Sequence, residues 1–169
     1  MRISYQSKTY STHNLILIKT LLLSEGPVLE LGSGFFSTPL LHWMCKGMGR
    51  KLVTYESNPD YLKFAKKFQS QGHTIRFITN WDEVDFKTYW GVVFIDHTTE
   101  RRSVDAINFK DSADYIIIHD TNTPDEYGYD KVWPHFKYRY DWKDCRPWTT
   151  VVSNFMDVSK WDGSIPKIV

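Results

Sequence analysis

The sequence predicts an α/β fold built on a doubly wound, mostly parallel sheet. Three observations carry that prediction. Five short apolar runs, at 28–31, 52–56, 75–78, 91–95 and 115–118, alternate with stretches of helical period, the pattern of β-α-β units joined by right-handed crossovers. The runs at 91–95 and 115–118 are almost uninterrupted in apolar character, as parallel strands covered on both faces must be. Charged or ionisable residues gather at the strand ends: Glu30, Glu56, Asp96 with His97, and His119 with Asp120. In an open α/β sheet such ends converge on the crevice where ligands bind.

Taken in order, residues 1–10 are polar and aromatic without a period, and are expected to form an arm or lid. Ser11 or Thr12 is placed to cap a helix with Leu15, Ile18 and Leu22 on one stripe, ended by Gly26-Pro27. The first strand runs into Gly32-Ser33-Gly34. There the first glycine suits a tight turn at positive φ, and the second lets a ligand approach the backbone. Ser37 or Thr38 is expected to cap the next helix, over about 38–46, which tolerates Pro39 in its first turn and stops at Gly47 and Gly49. Asn58-Pro59 opens a third helix with Tyr61, Leu62, Ala65 and Phe68 on one face and Lys63, Lys66 and Lys67 on a solvated one.

A further helix over about 99–110 carries Arg101 and Arg102 in its first turn, where cations oppose the helix dipole and need a partner or solvent. A guanidinium reaching an acidic site is the functional reading; exposure is the plain one. After Pro124 a helix over 125–137, interrupted near Pro134, precedes two runs rich in aromatic and β-branched residues, 138–145 and 148–156, joined around Arg146-Pro147. These two runs are expected to add a hairpin at one edge of the sheet.

Composition narrows the function. The 169 residues suit one domain, 1–169. A formal charge of +1 gives no electrostatic footprint for general nucleic-acid binding or for an anionic membrane surface. Two distant cysteines, Cys45 and Cys145, and no Cys/His cluster of zinc spacing point to reduced thiols. The apolar run 15–23 contains Lys19 and is far short of a membrane span, and it lacks the flanks of a secretory signal. The expectation is a soluble cytoplasmic chain acting on a small-molecule or locally presented substrate, with a homo-oligomer left open.

The turn after the first strand reads Glu30-x-Gly32-x-Gly34, and Glu56 closes the second strand a little over 20 residues on, where nucleotide-binding sheets place a ribose-binding carboxylate. Together these resemble the first two motifs of the class I S-adenosylmethionine-dependent methyltransferases. Ser37 stands where the dinucleotide dehydrogenases carry their third glycine. The resemblance implies a seven-stranded sheet ending in an antiparallel hairpin, with S-adenosylmethionine as cofactor. Carried over, Glu30, Gly32 and Gly34 lie near the methionine part and Glu56 holds the ribose, with Ser33, Ser37, Thr38 and Ser57 as further cofactor-binding candidates. Asn80, Trp81 and Asp82 stand where the family contacts the adenine, Trp81 to stack on the ring or to serve as core, Asp82 to accept from the exocyclic amine. In a metal-free reading Asp96 hydrogen-bonds nearby backbone or the donor's amino group.

A second constellation follows from the fourth and fifth strand ends. Asp96, His97, His119 and Asp120 are the candidate catalytic groups, histidine being suited to remove a proton near neutrality. The arrangement is similar to the magnesium-dependent O-methyltransferases, which implies Asp96, Asp120 and Asn122 as oxygen ligands for Mg²⁺, although Thr121 here separates the last two. Transfer to a hydroxyl oxygen is the function expected. The rivals are a non-catalytic cofactor-binding scaffold and, less well matched, a nicotinamide-dependent oxidoreductase.

Overall fold

The computed structural model describes residues 11–164 of the chain; the expected arm or lid at 1–10 lies outside them. Among the described residues the strands are β1 (Val28–Leu31), β2 (Leu52–Glu56), β3 (His73–Phe77), β4 (Trp90–Ile95), β5 (Ala113–His119), β6 (Tyr138–Trp142) and β7 (Thr149–Ser153). They form one seven-stranded sheet in the order β3-β2-β1-β4-β5-β7-β6. The first five are parallel, and β7 pairs antiparallel with both β5 and β6. The order reverses between β1 and β4, so their carboxyl ends flank the crevice that such a reversal opens.

Each central strand is buried along its whole length because alternate side chains feed two cores. Val28, Val92, Phe94, Tyr115 and Ile117 pack with Ile16, Leu17 and Leu21 of α1 (Asn14–Leu22) and Leu41 of α2 (Ser37–Gly47). Leu29, Leu31, Val93, Ile95, Ile116 and Ile118 face the other way, toward Ala106 of α4 (Thr99–Asn108), Phe109 and Tyr129. The same alternation puts Glu30 on the α2 side with Val28, beneath the helix rather than at an open rim. Burial of each such aliphatic side chain stabilises the fold by roughly 1.5–3 kcal/mol relative to exposure.

Several local expectations differ in detail. The residue preceding α2 is Phe36, with no side-chain cap, because Thr38 is engaged elsewhere; α1 likewise starts after His13 without a cap from Ser11 or Thr12. The third helix, α3 (Pro59–Ala65), is capped by Asn58, whose side chain accepts from the Asp60 amide, and its lysines are exposed as expected. The helix expected over 125–137 is α5 (Pro124–Tyr127) followed by two 3₁₀ turns, Tyr129–Lys131 and Trp133–His135. Gly128, at φ 67°, takes the left-handed conformation that ends the first piece, and Pro134 opens the last turn. No helix among the described residues is long and apolar enough to cross a membrane.

Candidate functional site

The turn after β1 is held by two buried carboxylates, one on each side. Glu30 is fully buried and takes hydrogen bonds from the Thr38 hydroxyl at 3.0 Å and the Thr54 hydroxyl at 2.7 Å. Thr38 in turn accepts from the Gly34 amide at 2.9 Å. Burial drives the Glu30 pKa up to about 7 against the pull of the Ser37, Thr54 and Thr38 hydroxyls. The expected methionine-end acid therefore acts beneath the turn, shaping it. Thr54 also meets His73 Nε2 at 2.8 Å, and His73 Nδ1 lies 3.1 Å from His42 Nδ1, which extends the polar chain under the helix.

Glu56 does the corresponding work from β2. Its Oε2 accepts from both the amide and the hydroxyl of Ser33 at 2.7 Å, and its Oε1 from the amides of Ser57 at 2.8 Å and Asn58 at 2.6 Å. Gly32 has φ 85°, and a Cβ there would stand 2.4 Å from the Asp96 carbonyl oxygen, so the first glycine meets both demands at once: a left-handed turn and contact with the β4 tip. At Gly34 a Cβ would meet the Ser37 hydroxyl at 2.9 Å, so the space expected for a ligand holds a side chain of α2.

Asn80, Trp81 and Asp82 follow β3 in a 3₁₀ turn with a capping box: Asn80 caps it and Glu83 reaches back. Trp81 is buried, its ring 4.2 Å from that of His97. Asp82 is open to solvent and pairs with Arg101 at 2.9 Å.

The β4 and β5 tips form a compact charged cluster. Arg102 comes up from the first turn of α4, buried, and its guanidinium spans Asp96 at 2.9 Å and Asp120 at 2.7 Å while its Nε donates to the His97 carbonyl at 2.7 Å. This is the functional reading of the paired arginines; Arg101 turns instead to Asp82 and Asp105. Tyr127 stacks on Arg102 with the guanidinium 4.7 Å from the ring centre. Asp120 has φ 59°, a backbone state uncommon outside glycine that concentrates at functional sites.

His119 Nδ1 lies 3.3 Å from Asp96 and 3.6 Å from Asp120, and its Nε2 is 3.0 Å from the Thr12 hydroxyl. Burial alone would push the Asp96 pKa up, but the hydrogen bond and charge of His119 and the charge of Arg102 bring it below the usual carboxylate range. Burial would likewise lower His119, yet Asp96 and Asp120 raise it. His97 points away, its Nε2 2.8 Å from Asp105 on α4, and burial lowers it despite that carboxylate. The four expected catalytic groups thus divide: Asp96, His119 and Asp120 meet, and His97 turns into the core.

The expected magnesium ligand set does not fit. The guanidinium of Arg102 bridges Asp96 and Asp120 as a divalent cation would have done, and the Asn122 side-chain oxygen accepts from the Trp148 amide at 2.9 Å. A thiol-free, histidine-poor oxygen cage is therefore not what the β4 and β5 tips offer. One residue that the sequence left unremarked does reach the cluster: His13, buried, with its ring 4.7 Å from that of His119. Burial, then the charge of His119, lowers its pKa to about 3.

A precorrin-6y C5,15-methyltransferase from Geobacter metallireducens superposes with a TM-score of 0.61 over 82% of this chain and 86% of that one, at 14% identity. The chain has the class I methyltransferase fold. The N-terminal domain of human METTL16 in complex with SAH matches with a TM-score of 0.59 at 12% identity, over 86% of this chain and 71% of that one. A spermidine synthase from Thermotoga maritima matches at 0.60 and 16% identity, over 86% and 59%. No family model and no curated protein matches the sequence. At these identities the methyltransferase fold is common ground, and the three neighbours differ in what their names say they do.

Proposed function

We propose that this class I methyltransferase-fold chain is an S-adenosylmethionine-dependent methyltransferase of one domain, 1–169, acting in the cytoplasm on an oxygen of a small or locally presented acceptor. The observation that carries the reading is the contact between Glu56 and Ser33. It joins the second-strand acid to the glycine turn at the point where strand order reverses. These residues fit the cofactor. Two backbone amides orient one oxygen of Glu56, and a serine hydroxyl, which a ribose hydroxyl can replace, occupies the other.

When bound, the cofactor supplies a methyl group activated by positively charged sulfur. An acceptor hydroxyl placed against this cluster would give up its proton to the Asp96 carboxylate, which Arg102 and His119 orient. Asp96 and Asp120 keep side-chain exposures of 24% and 23%, so they are the members open to an acceptor hydroxyl. Arg102 holds them in place, and alignment of acceptor with donor is most of what such a displacement asks of a protein.

One observation favours the scaffold reading as the second choice: every hydrogen-bonding position of Glu56 is met by this chain's own donors. Calorimetric titration with S-adenosylhomocysteine and with NADH separates the two enzyme readings. Methyl transfer expects the first to bind, with affinity lost about tenfold or more in Glu56→Ala. NADH binding alone would assign an oxidoreductase. Unchanged turnover and cellular function on replacing Asp96, His97, His119 and Asp120 one at a time would assign the scaffold, which also binds the cofactor.

A further inference from the structure

Three side chains from distant parts of the chain meet at the tip of β5. His13 before α1, Asp96 after β4 and His119 at the end of β5 each bring one ligand-competent atom to within 4.8 Å of the other two. The histidines are 2% and 4% exposed.

The hydrogen bonds around this triad leave something unmet. The Thr12 hydroxyl gives its one hydrogen to the Pro147 carbonyl at 2.8 Å, so toward His119 Nε2, 3.0 Å away, it acts as acceptor. Nε2 therefore carries a hydrogen. A neutral His119 then has its lone pair on Nδ1, 3.3 Å from Asp96 Oδ2, and two lone pairs at that distance repel unless a cation lies between them. A proton or a metal ion meets that need.

His13 distinguishes the two. Neither of its ring nitrogens has a hydrogen-bond partner among the described residues, although buried polar atoms are nearly always paired. A proton on His119 leaves His13 as it is; a metal ion uses a nitrogen from each.

We propose that His13, Asp96 and His119 form a site for a divalent transition-metal ion of the zinc type, with two imidazole nitrogens and one carboxylate oxygen as ligands. The 3.3 Å between His119 Nδ1 and Asp96 Oδ2 matches the roughly 3.3 Å edge of a tetrahedron drawn with zinc–nitrogen bond lengths. Imidazole suits zinc and its neighbours, whereas magnesium takes oxygen. The supports around the ligands are also in place: Arg102 holds Asp96 Oδ1 at 2.9 Å and leaves Oδ2 for the metal, and Thr12 fixes the tautomer of His119. Asp96, Asp120 and Arg102 together carry one net negative charge, so a bound dication leaves one positive charge. The fourth coordination position therefore favours an anionic oxygen, hydroxide or a deprotonated substrate hydroxyl.

The test needs neither cofactor nor acceptor, so it stands apart from the methyl-transfer reading. The full-length chain, stripped with EDTA, is titrated with Zn²⁺ by calorimetry and with Co²⁺ by visible absorption. The expected result is one equivalent per chain and the intense Co²⁺ bands of four or five ligands. His13→Phe, which keeps a ring in the core, and His119→Gln are each expected to weaken Zn²⁺ binding about tenfold or more. Cys145→Ser, at the thiol nearest Thr12, is expected to leave it unchanged. Absence of saturable binding, or equal binding by wild type and both histidine variants, overturns the proposal. Should the variants fail to fold, a weak, six-coordinate Co²⁺ spectrum in the wild type overturns it alone.

Discussion

Ser33 and Glu56 are joined twice at one oxygen: the Ser33 amide and hydroxyl both reach Oε2 at 2.7 Å. The amide bond belongs to the turn, while the hydroxyl bond is the one a ribose can replace. Ser33→Ala is therefore expected to lower stability by about 1–2 kcal/mol, the worth of a buried hydroxyl–carboxylate bond, while S-adenosylhomocysteine affinity is kept or rises. Urea denaturation and calorimetry read the two effects. An affinity loss beyond about tenfold would make the Ser33 hydroxyl itself a ligand contact.

Arg102 and His119 each approach both Asp96 and Asp120, but only the buried Arg102 reaches both closely, at 2.9 and 2.7 Å. Arg102→Met leaves the two carboxylates with His119 alone beside them and is expected to cost about 3–5 kcal/mol in chemical denaturation. Arg102→Lys should restore only part, because an ammonium lacks the planar fork that spans two carboxylates and stacks on Tyr127. Equal stability of the two variants would refute the bridging role.

Glu30 makes stability depend on pH. Its pKa is about 7 in the folded chain against 4.5 for the free side chain, so the native state holds a proton that the unfolded state gives up. This contribution is complete below pH 4.5, declines as pH rises and is gone above about 7, an effect on the order of 3 kcal/mol. Glu30→Gln is expected to remove that decline, so the stability difference between variant and wild type grows from pH 5 to pH 8. A difference independent of pH would sink the assignment.

Gly32 and Gly128 both have positive φ, at 85° and 67°, but only Gly32 abuts backbone. Gly128→Ala meets nothing nearer than the Ser103 hydroxyl at 3.6 Å and should cost about 1–2 kcal/mol of left-handed strain. Gly32→Ala adds a collision with the Asp96 carbonyl and should cost clearly more, read as a lower urea midpoint or loss of soluble protein. Similar costs at the two positions would contradict the packing described.

The sheet was legible wherever both faces of a strand are covered, because Val92–Ile95 and Ile116–Ile118 then have no reason to carry polar residues. The hairpin was legible for a different reason: the aromatic and β-branched residues of 138–145 and 148–156 suit strands, and they form β6 and β7. The segment 125–137 was not, because a left-handed Gly128 and a 3₁₀ turn leave no lasting period. In the site, the glycine turn, Glu56 and the charged tips of β4 and β5 announced themselves locally. Which of two adjacent arginines would bridge Asp96 and Asp120 did not, since one step around a helix decides it. His13 carried no local signal at all: its neighbours Phe94 and His119 come from β4 and β5.

The bare contact of Gly32 with the Asp96–His97 backbone has one more consequence. The turn after β1 and the tip of β4 meet backbone to backbone, with no side chain between them to yield, so a shift in either is passed straight to the other.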